Sequence, residues 1–181
     1  LRYNHYLNRN NRLVTRIGGG IIYSYGNSTV APYNERFYVG GANSIRAFTI
    51  RSIGPGRFAP DNNNPYSYID QNGDLKLEGN IEYRGRLVGD LEIAAFIDAG
   101  NVWLLRKDET RPGGVFEWRS LFKDIAWGAG IGFRYDMDML VFRLDMGYAL
   151  HFPYDTGKKG FFNTPSFADG IGLHLALGYP F

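Results

Sequence analysis

Cysteine is absent from this 181-residue sequence, and histidine occurs three times. The absence of cysteine excludes a disulfide framework and thiolate-bound metals, and it is compatible with an oxidising compartment, where free thiols are a hazard. Three scattered histidines leave few ligands for a metal centre. We therefore expect a protein without a metal centre.

An excess of charge and a long apolar run are also missing. Twenty basic and 18 acidic side chains give a formal net charge of +2 without a basic tract, so we expect no nucleic-acid partner. The longest unbroken apolar run, residues 93–97, is far shorter than the roughly 20 residues of a membrane-spanning helix. The sequence begins in polar residues without a leader, so we expect any signal peptide to have been removed or to lie outside it.

Glycine and aromatic residues are abundant instead. The sequence has 24 glycines, and 16% of its residues are aromatic. The apolar fraction of 44% and the charged fraction of 21% are those of a folded chain rather than a disordered one. At this length we expect one domain.

Apolar residues alternate with polar or small ones along six segments, which predicts strands because side chains on a strand point to opposite faces in turn. The segments are 13–25, 75–84, 91–98, 125–135, 140–150 and 171–181. The last is the most regular, and one of its faces consists of Ile171, Leu173, Leu175, Leu177, Tyr179 and Phe181. We predict an all-β, antiparallel protein.

The length of these segments favours a membrane barrel. Ten or 11 alternating residues match the 9–11 of a transmembrane strand and exceed the 5–6 that are usual in soluble sheets. Alternation alone also fits a soluble sandwich. Aromatic residues near the strand ends, such as Tyr23, Tyr83 and Tyr135, tilt the balance toward a membrane interface.

The predicted connections alternate between long and short, as they do in outer-membrane barrels. The long ones are 26–73, 101–124 and 151–170, and the short ones are 85–90 and 136–138. Residues 1–7 form the stump of a further strand, joined by a turn at 8–11. Such a sheet has two open edges, which lipid does not tolerate. We expect the missing strands to come from the rest of the chain or from another copy.

Two internal motifs identify a possible family. Residues 37–48 read Phe-Tyr-Val-Gly-Gly-Ala-Asn-Ser-Ile-Arg-Ala-Phe, and residues 96–100 read Phe-Ile-Asp-Ala-Gly. With the terminal alternation, they resemble three signals of the BamA/TamA family of outer-membrane assembly factors, in the family's order. The loop motif comprises Gly40, Gly41, Ile45, Arg46, Ala47 and Phe48, and the strand motif Phe96, Asp98 and Gly100. Ala47 stands where the family usually has glycine.

The residues themselves predict a contact for Arg46. A loop with a Gly-Gly hinge can fold inward, and Glu82 and Asp98 lie on the inward faces of neighbouring predicted strands. A planar guanidinium can bind such carboxylates bidentately. We predict that Arg46 bridges Glu82 and Asp98 as a loop lock, and the resemblance implies the same contact. The alternative is a solvated loop arginine and an aspartate at a strand end.

Other candidates support structural roles. Glycines 128, 130 and 132 follow strand alternation with no helix after them, so we expect them to make room in the lumen rather than to bind phosphate. Arg143 and Asp145 share an inward face, and we interpret them as a structural pair. No spacing supports a hydrolase nucleophile.

The resemblance implies a transmembrane β-barrel, of which residues 1–181 would be the C-terminal part, the last six or so of sixteen strands, with loop 26–73 in the lumen. Upstream strands and periplasmic modules would lie outside this sequence. It also implies a non-enzymatic factor of the bacterial outer membrane that works without a cofactor and inserts proteins through a lateral seam at the last strand. Expected partners are unfolded outer-membrane clients, the bilayer, and periplasmic or lipoprotein subunits. The alternatives are a two-partner secretion transporter, a passive porin and a barrel-embedded hydrolase.

Overall fold

The computed structural model describes residues 1–28, 30–61, 64–137 and 139–181. Its strands are β1 (Arg2–Tyr6), β2 (Asn11–Ile21), β3 (Leu75–Val88), β4 (Leu91–Trp103), β5 (Ala126–Asp136), β6 (Val141–His151) and β7 (Ile171–Leu177). They form one sheet in chain order, and every neighbouring pair is antiparallel. The sheet is therefore a meander in which each strand pairs with the strands next to it in sequence.

The remaining regular structure is short. The helices are α1 (Leu121–Asp124) and α2 (Phe167–Gly170), and single 3-10 turns lie at Tyr33–Glu35 and Ser67–Ile69. The side chain of Ser166 caps α2 by accepting a hydrogen bond from the backbone N–H of Asp169. In the described ranges, no helix combines the length and apolarity needed to span a membrane.

The two faces of the sheet differ sharply. One face, here called the covered face, carries charged side chains such as Glu82, Asp98 and Arg134, all fully buried. The other, the open face, carries apolar side chains such as Ile81 and Ile97, about half exposed at 51% and 48%. The period of two in the sequence therefore separates polar from apolar residues as predicted, with the polar ones inside.

Residues 39–53 of the long connection between β2 and β3 lie over the covered face. Their apolar side chains and the ends of β4, β5 and β6 form a small buried core: Val39, Ile45, Ala47, Phe48, Ile53, Val102, Ala126 and Ala149. Phe48 also packs edge-on against Phe152, with ring centroids 5.2 Å apart. Burying Ile45 and Phe48 contributes roughly 1.5–3 kcal/mol each. The apolar core therefore joins the loop to the sheet.

The structure differs from the sequence predictions at several boundaries. Residues 2–6, expected as a stump, form β1, and β3 and β4 run past their predicted ends at residues 84 and 98. β2 ends at Ile21 rather than at Tyr25. Asp138, in the predicted turn 136–138, lies outside the described residues.

Candidate functional site

The loop segment that follows the Gly-Gly pair is folded into a closed turn. The N–H of Gly41 donates to the carbonyl oxygen of Phe48 at 2.8 Å, and the N–H of Arg51 donates to that of Val39 at 3.0 Å. Gly40 and Gly41 have φ values of +95° and +90°, a region that side chains disfavour. A Cβ on Gly40 would lie 2.1 Å from the Thr49 carbonyl oxygen. The two glycines thus let the loop double back and present Arg46 to the sheet.

Arg46 binds two carboxylates on adjacent strands. Its Nε and Nη2 donate to the two oxygens of Asp98 at 2.8 and 2.9 Å, and its Nη1 donates to Glu82. Its backbone N–H also donates to Asp98 Oδ2 at 3.0 Å. All three side chains are 0% exposed. The structure therefore brings together the residues assigned to the loop lock in a bidentate, charge-assisted arrangement.

The strand motif supplies a surface for the guanidinium. The Cζ atom of Arg46 lies 3.5 Å from the centroid of the Phe96 ring, a cation–π distance. Burial alone would lower the pKa of Arg46, but the hydrogen bonds and charges of Asp98 and Glu82 outweigh it and raise the pKa. Arg46 is therefore always charged. Gly100, the last residue of the motif, has no room for a Cβ, which would lie 2.7 Å from the carbonyl oxygen of Leu77.

Further charged residues extend the site into a buried cluster. Arg84 binds Glu82, and Arg134 bridges Glu82 at 3.2 Å and Asp145 at 2.8 Å. Arg143 lies 3.3 Å from Asp145. The arginine cluster, as we call it, comprises Arg46, Arg84, Arg134, Arg143, Glu82, Asp98 and Asp145. Arg46 shares Glu82 with Arg84 and Arg134, so the loss of Arg46 changes the charge balance around both of these arginines.

Arg143 makes a second attachment to the loop. Its Nη2 donates to the side-chain oxygen of Asn43 at 2.8 Å and to the carbonyl oxygen of Ala42 at 3.0 Å. The alternation along β6 places Arg143 and Asp145 on the inward face, but it does not connect them to Arg46. The sequence does carry a signal for this connection, which is a surplus of cations on one face. The inward face that holds Glu82 and Asp98 also holds three arginines: Arg84, Arg134 and Arg143.

Glycines on β5, β6 and β7 form a seat for the loop backbone. A Cβ at Gly147 would lie 2.7 Å from the Arg46 carbonyl oxygen, and one at Gly172 would lie 2.9 Å from it. A Cβ at Gly128 would lie 2.3 Å from the Cβ of Ala47. The φ angle of Ala47 is not positive, so alanine fits this backbone. The space for the Ala47 side chain therefore comes from Gly128 on the wall.

The C-terminal residues correct one prediction. Tyr179 and Phe181 were expected to continue β7 on the apolar face, but β7 ends at Leu177 and Gly178 has a φ of +80°. The Tyr179 ring lies 4.5 Å from the Arg84 guanidinium, and its hydroxyl donates to Glu92 at 3.3 Å. The centroid of the Phe181 ring lies 5.7 Å from the Arg46 guanidinium, so both rings lie on the covered face. The positive φ at Gly178 breaks the alternation that the sequence suggests.

Three C-terminal strand residues are highly exposed on the open face, as the alternation predicts. Leu173, Leu175 and Leu177 are 67%, 82% and 62% exposed, and Ile171 is 37% exposed. No group of three or more metal-ligating side chains occurs within the ranges that the structure describes. The contacts within the arginine cluster are ion pairs and hydrogen bonds.

The fold and the cluster define a class of protein. An antiparallel sheet with an apolar exposed face and a polar buried face is the wall of a membrane β-barrel, with lipid outside and a polar lumen inside. Here a long loop is bound to the polar face by an arginine.

Comparisons with known proteins identify the family. The Omp85 superfamily domain matches residues 1–180. The outer membrane protein assembly factor BamA of Nitratidesulfovibrio vulgaris is 30% identical over 175 residues, covering 93% of this chain and 19% of that protein. BamA from Haemophilus ducreyi lacking POTRA domains 1–3 has a similar fold, with a TM-score of 0.59 and 19% identity, over 82% of this chain and 30% of that one. The chain belongs to the Omp85 superfamily.

Family membership confirms the predicted family, the antiparallel barrel fold class and the location in the bacterial outer membrane. The chain spans less than a third of the length of the relatives that it matches.

Proposed function

We propose that this chain is the C-terminal barrel region of an outer-membrane protein assembly factor, which inserts unfolded client proteins into the bilayer through a seam at β7. The observation that carries the proposal is the burial of Arg46 between Glu82 and Asp98, because a loop so firmly bound to the wall serves a purpose beyond linking two strands. The name of the relative from Nitratidesulfovibrio vulgaris supports the same function.

The geometry of β7 supports its role as one side of the seam. β7 pairs with β6 over seven residues, whereas β5 and β6 are 11 residues long. Gly178 bends the chain away after Leu177, and Pro180 has no N–H to donate. A short ladder opens at lower free-energy cost than a long one, and its unpaired backbone groups can then accept a client strand.

The loop lock fixes the wall beside that seam. Arg46 links β3 and β4 to a loop that also lies against β6 and β7. The strands β3 and β4 therefore stay in register when β7 moves. The clients would be unfolded outer-membrane proteins. The remaining strands would come from the rest of the barrel or from another copy, and periplasmic or lipoprotein subunits would deliver the clients.

The test is client insertion by the full-length protein in liposomes, followed as the folding of an unfolded outer-membrane substrate. We expect the intact protein to accelerate folding and Arg46→Ala to reduce that acceleration at least tenfold while the barrel itself stays folded. Arg57→Ala is the matched control, because Arg57 belongs to the same loop but is 47% exposed.

The opposite results are equally clear. Full insertion by Arg46→Ala would remove the lock from the mechanism. Absence of acceleration by the intact protein, combined with ion conduction or fatty-acid release, would replace insertion with a porin or hydrolase function.

A further inference from the structure

His174 places an imidazole ring of β7 against the loop. Its Nε2 lies 2.8 Å from the carbonyl oxygen of Arg46. A carbonyl oxygen only accepts hydrogen bonds, so Nε2 carries the proton and donates. His174 is partly buried on the covered face, where it pairs in register with Asp145 of β6.

Arg46 is thus bound on two sides by distant strands. Its side chain binds β3 and β4 through Glu82 and Asp98, and its main-chain carbonyl accepts from His174 on β7. Gly147 and Gly172 allow this approach, because a Cβ on either would lie within 2.9 Å of the same carbonyl oxygen. The side chain and the carbonyl group of Arg46 together therefore connect the middle of the sheet to its last strand on the covered face.

We propose that His174 is a positioning residue that couples β7 to the loop lock, so that displacement of β7 loosens the Arg46 turn and loosening of that turn releases β7. This inference rests on the proposed function of the lock, and it adds the path by which the seam and the lock sense each other. Coupling between two sites is reciprocal by thermodynamic necessity.

Charged groups face the His174 ring from β6 and from the loop. Asp145 faces His174 from β6, Arg143 lies two residues away on that strand, and Arg46 lies on the loop. The coupling requires an N–H donor on the ring at this position.

Amide hydrogen exchange of the full-length protein in liposomes tests the proposal. The N–H groups of residues 41, 44, 46 and 48 are hydrogen bonded in the structure and report on the turn. We expect His174→Ala to accelerate their exchange about three- to tenfold, the factor associated with one hydrogen bond, while exchange in β3 stays unchanged. His174→Gln, whose amide N–H reaches as far as Nε2, restores protection.

Leu175→Ala is the matched control, because Leu175 is the next residue of β7 and is 82% exposed on the open face. Equal exchange in His174→Ala and Leu175→Ala, or failure of His174→Gln to restore protection, would refute the coupling. If His174→Ala does not assemble, His174→Leu replaces it, since leucine fills the space without a donor.

The same variants separate this inference from the proposed function. Loss of insertion in Arg46→Ala with unchanged loop exchange in His174→Ala supports the lock and refutes the coupling. Faster loop exchange in His174→Ala with full insertion by Arg46→Ala supports the contact and refutes the function assigned to the lock.

Discussion

The covered face and the open face are built from alternate residues of the same strands, yet they follow opposite rules of burial. On β4, Asp98 is fully buried, whereas its neighbour Ile97 is 48% exposed. On β5, Arg134 is fully buried and Phe133 is 48% exposed. Charged residues lie inside because each finds partners in the arginine cluster, and apolar residues lie outside because the surrounding medium is lipid. The specific contacts of this protein are therefore concentrated on one face.

The largest expected effect comes from removing a carboxylate of the covered face. Asp98→Ala leaves the buried Arg46 guanidinium without two acceptors, and we expect the free energy of unfolding to fall by about 3–5 kcal/mol. Ile97→Val, the matched change on the open face, removes one methylene group and costs about 0.8 kcal/mol. Urea unfolding in lipid vesicles measures both. Equal losses of unfolding free energy in the two variants would show that contacts on the covered face stabilise the protein no more than those on the open face.

A smaller effect is expected from adding a methyl group to either face. Gly128→Ala places its Cβ against that of Ala47 and should cost about 1–3 kcal/mol. In the Ala47→Gly background the next contact is the Tyr148 carbonyl oxygen at 3.4 Å, so the double variant should regain most of that loss. On the open face, Gly79→Ala meets only the Arg16 carbonyl oxygen at 3.9 Å and should be nearly neutral. Unfolding measurements without recovery in the double variant would contradict the seat.

The sequence predicts more about the faces than about the ends of the strands. Period-two alternation assigns Glu82 and Asp98 to one face because side-chain direction follows from position alone. The end of β7 is different: alternation continues through Phe181, but the positive φ of Gly178 turns the chain, and glycine in a sequence does not reveal which φ it adopts.

The extent of the arginine cluster was also hidden. Arg134 on β5 reaches Glu82 on β3 across the intervening strand. Such contacts depend on the strand register and on small residues along the path. Ala94 of β4 and Gly132 of β5, which pair with each other, leave room for the arginine side chain. Parity predicts which residues face inward, but the reach of a long side chain over its neighbours requires the three-dimensional sheet.

The smallest expected effect lies outside both faces, at the turn that contains Asp108. Hydrogen bonds from Thr110 and Arg111 lower the pKa of Asp108 to about 2. Because the folded-state pKa lies below the unfolded one, the stabilisation is complete above about pH 4 and disappears as the pH falls through about 2. Asp108→Asn should lower the Tm by at most about 4 °C at pH 5.

Thermal melting at pH 5 and pH 2 checks this sign. The difference in Tm between the wild type and Asp108→Asn should shrink at pH 2, because about half of the wild-type carboxylate is then protonated. A difference that grows toward low pH would mean that Asp108 does not act through its charge. The Asp108–Arg111 ion pair, in which the carboxylate is partly exposed, gives a reference value against which the fully buried cluster can be compared.

The backbone N–H of Arg46 donates to Asp98 alongside its side chain. Every amino acid except proline supplies this main-chain donor at position 46, whereas the carboxylate depends on the residue at position 98. The two partners of the loop lock thus contribute differently. Asp98 positions the loop by accepting hydrogen bonds from its main chain and side chain, and Arg46 supplies the positive charge. A substitution of Arg46 can keep the main-chain hydrogen bond to Asp98. A substitution of Asp98 removes the acceptor of both the main-chain and the side-chain hydrogen bonds.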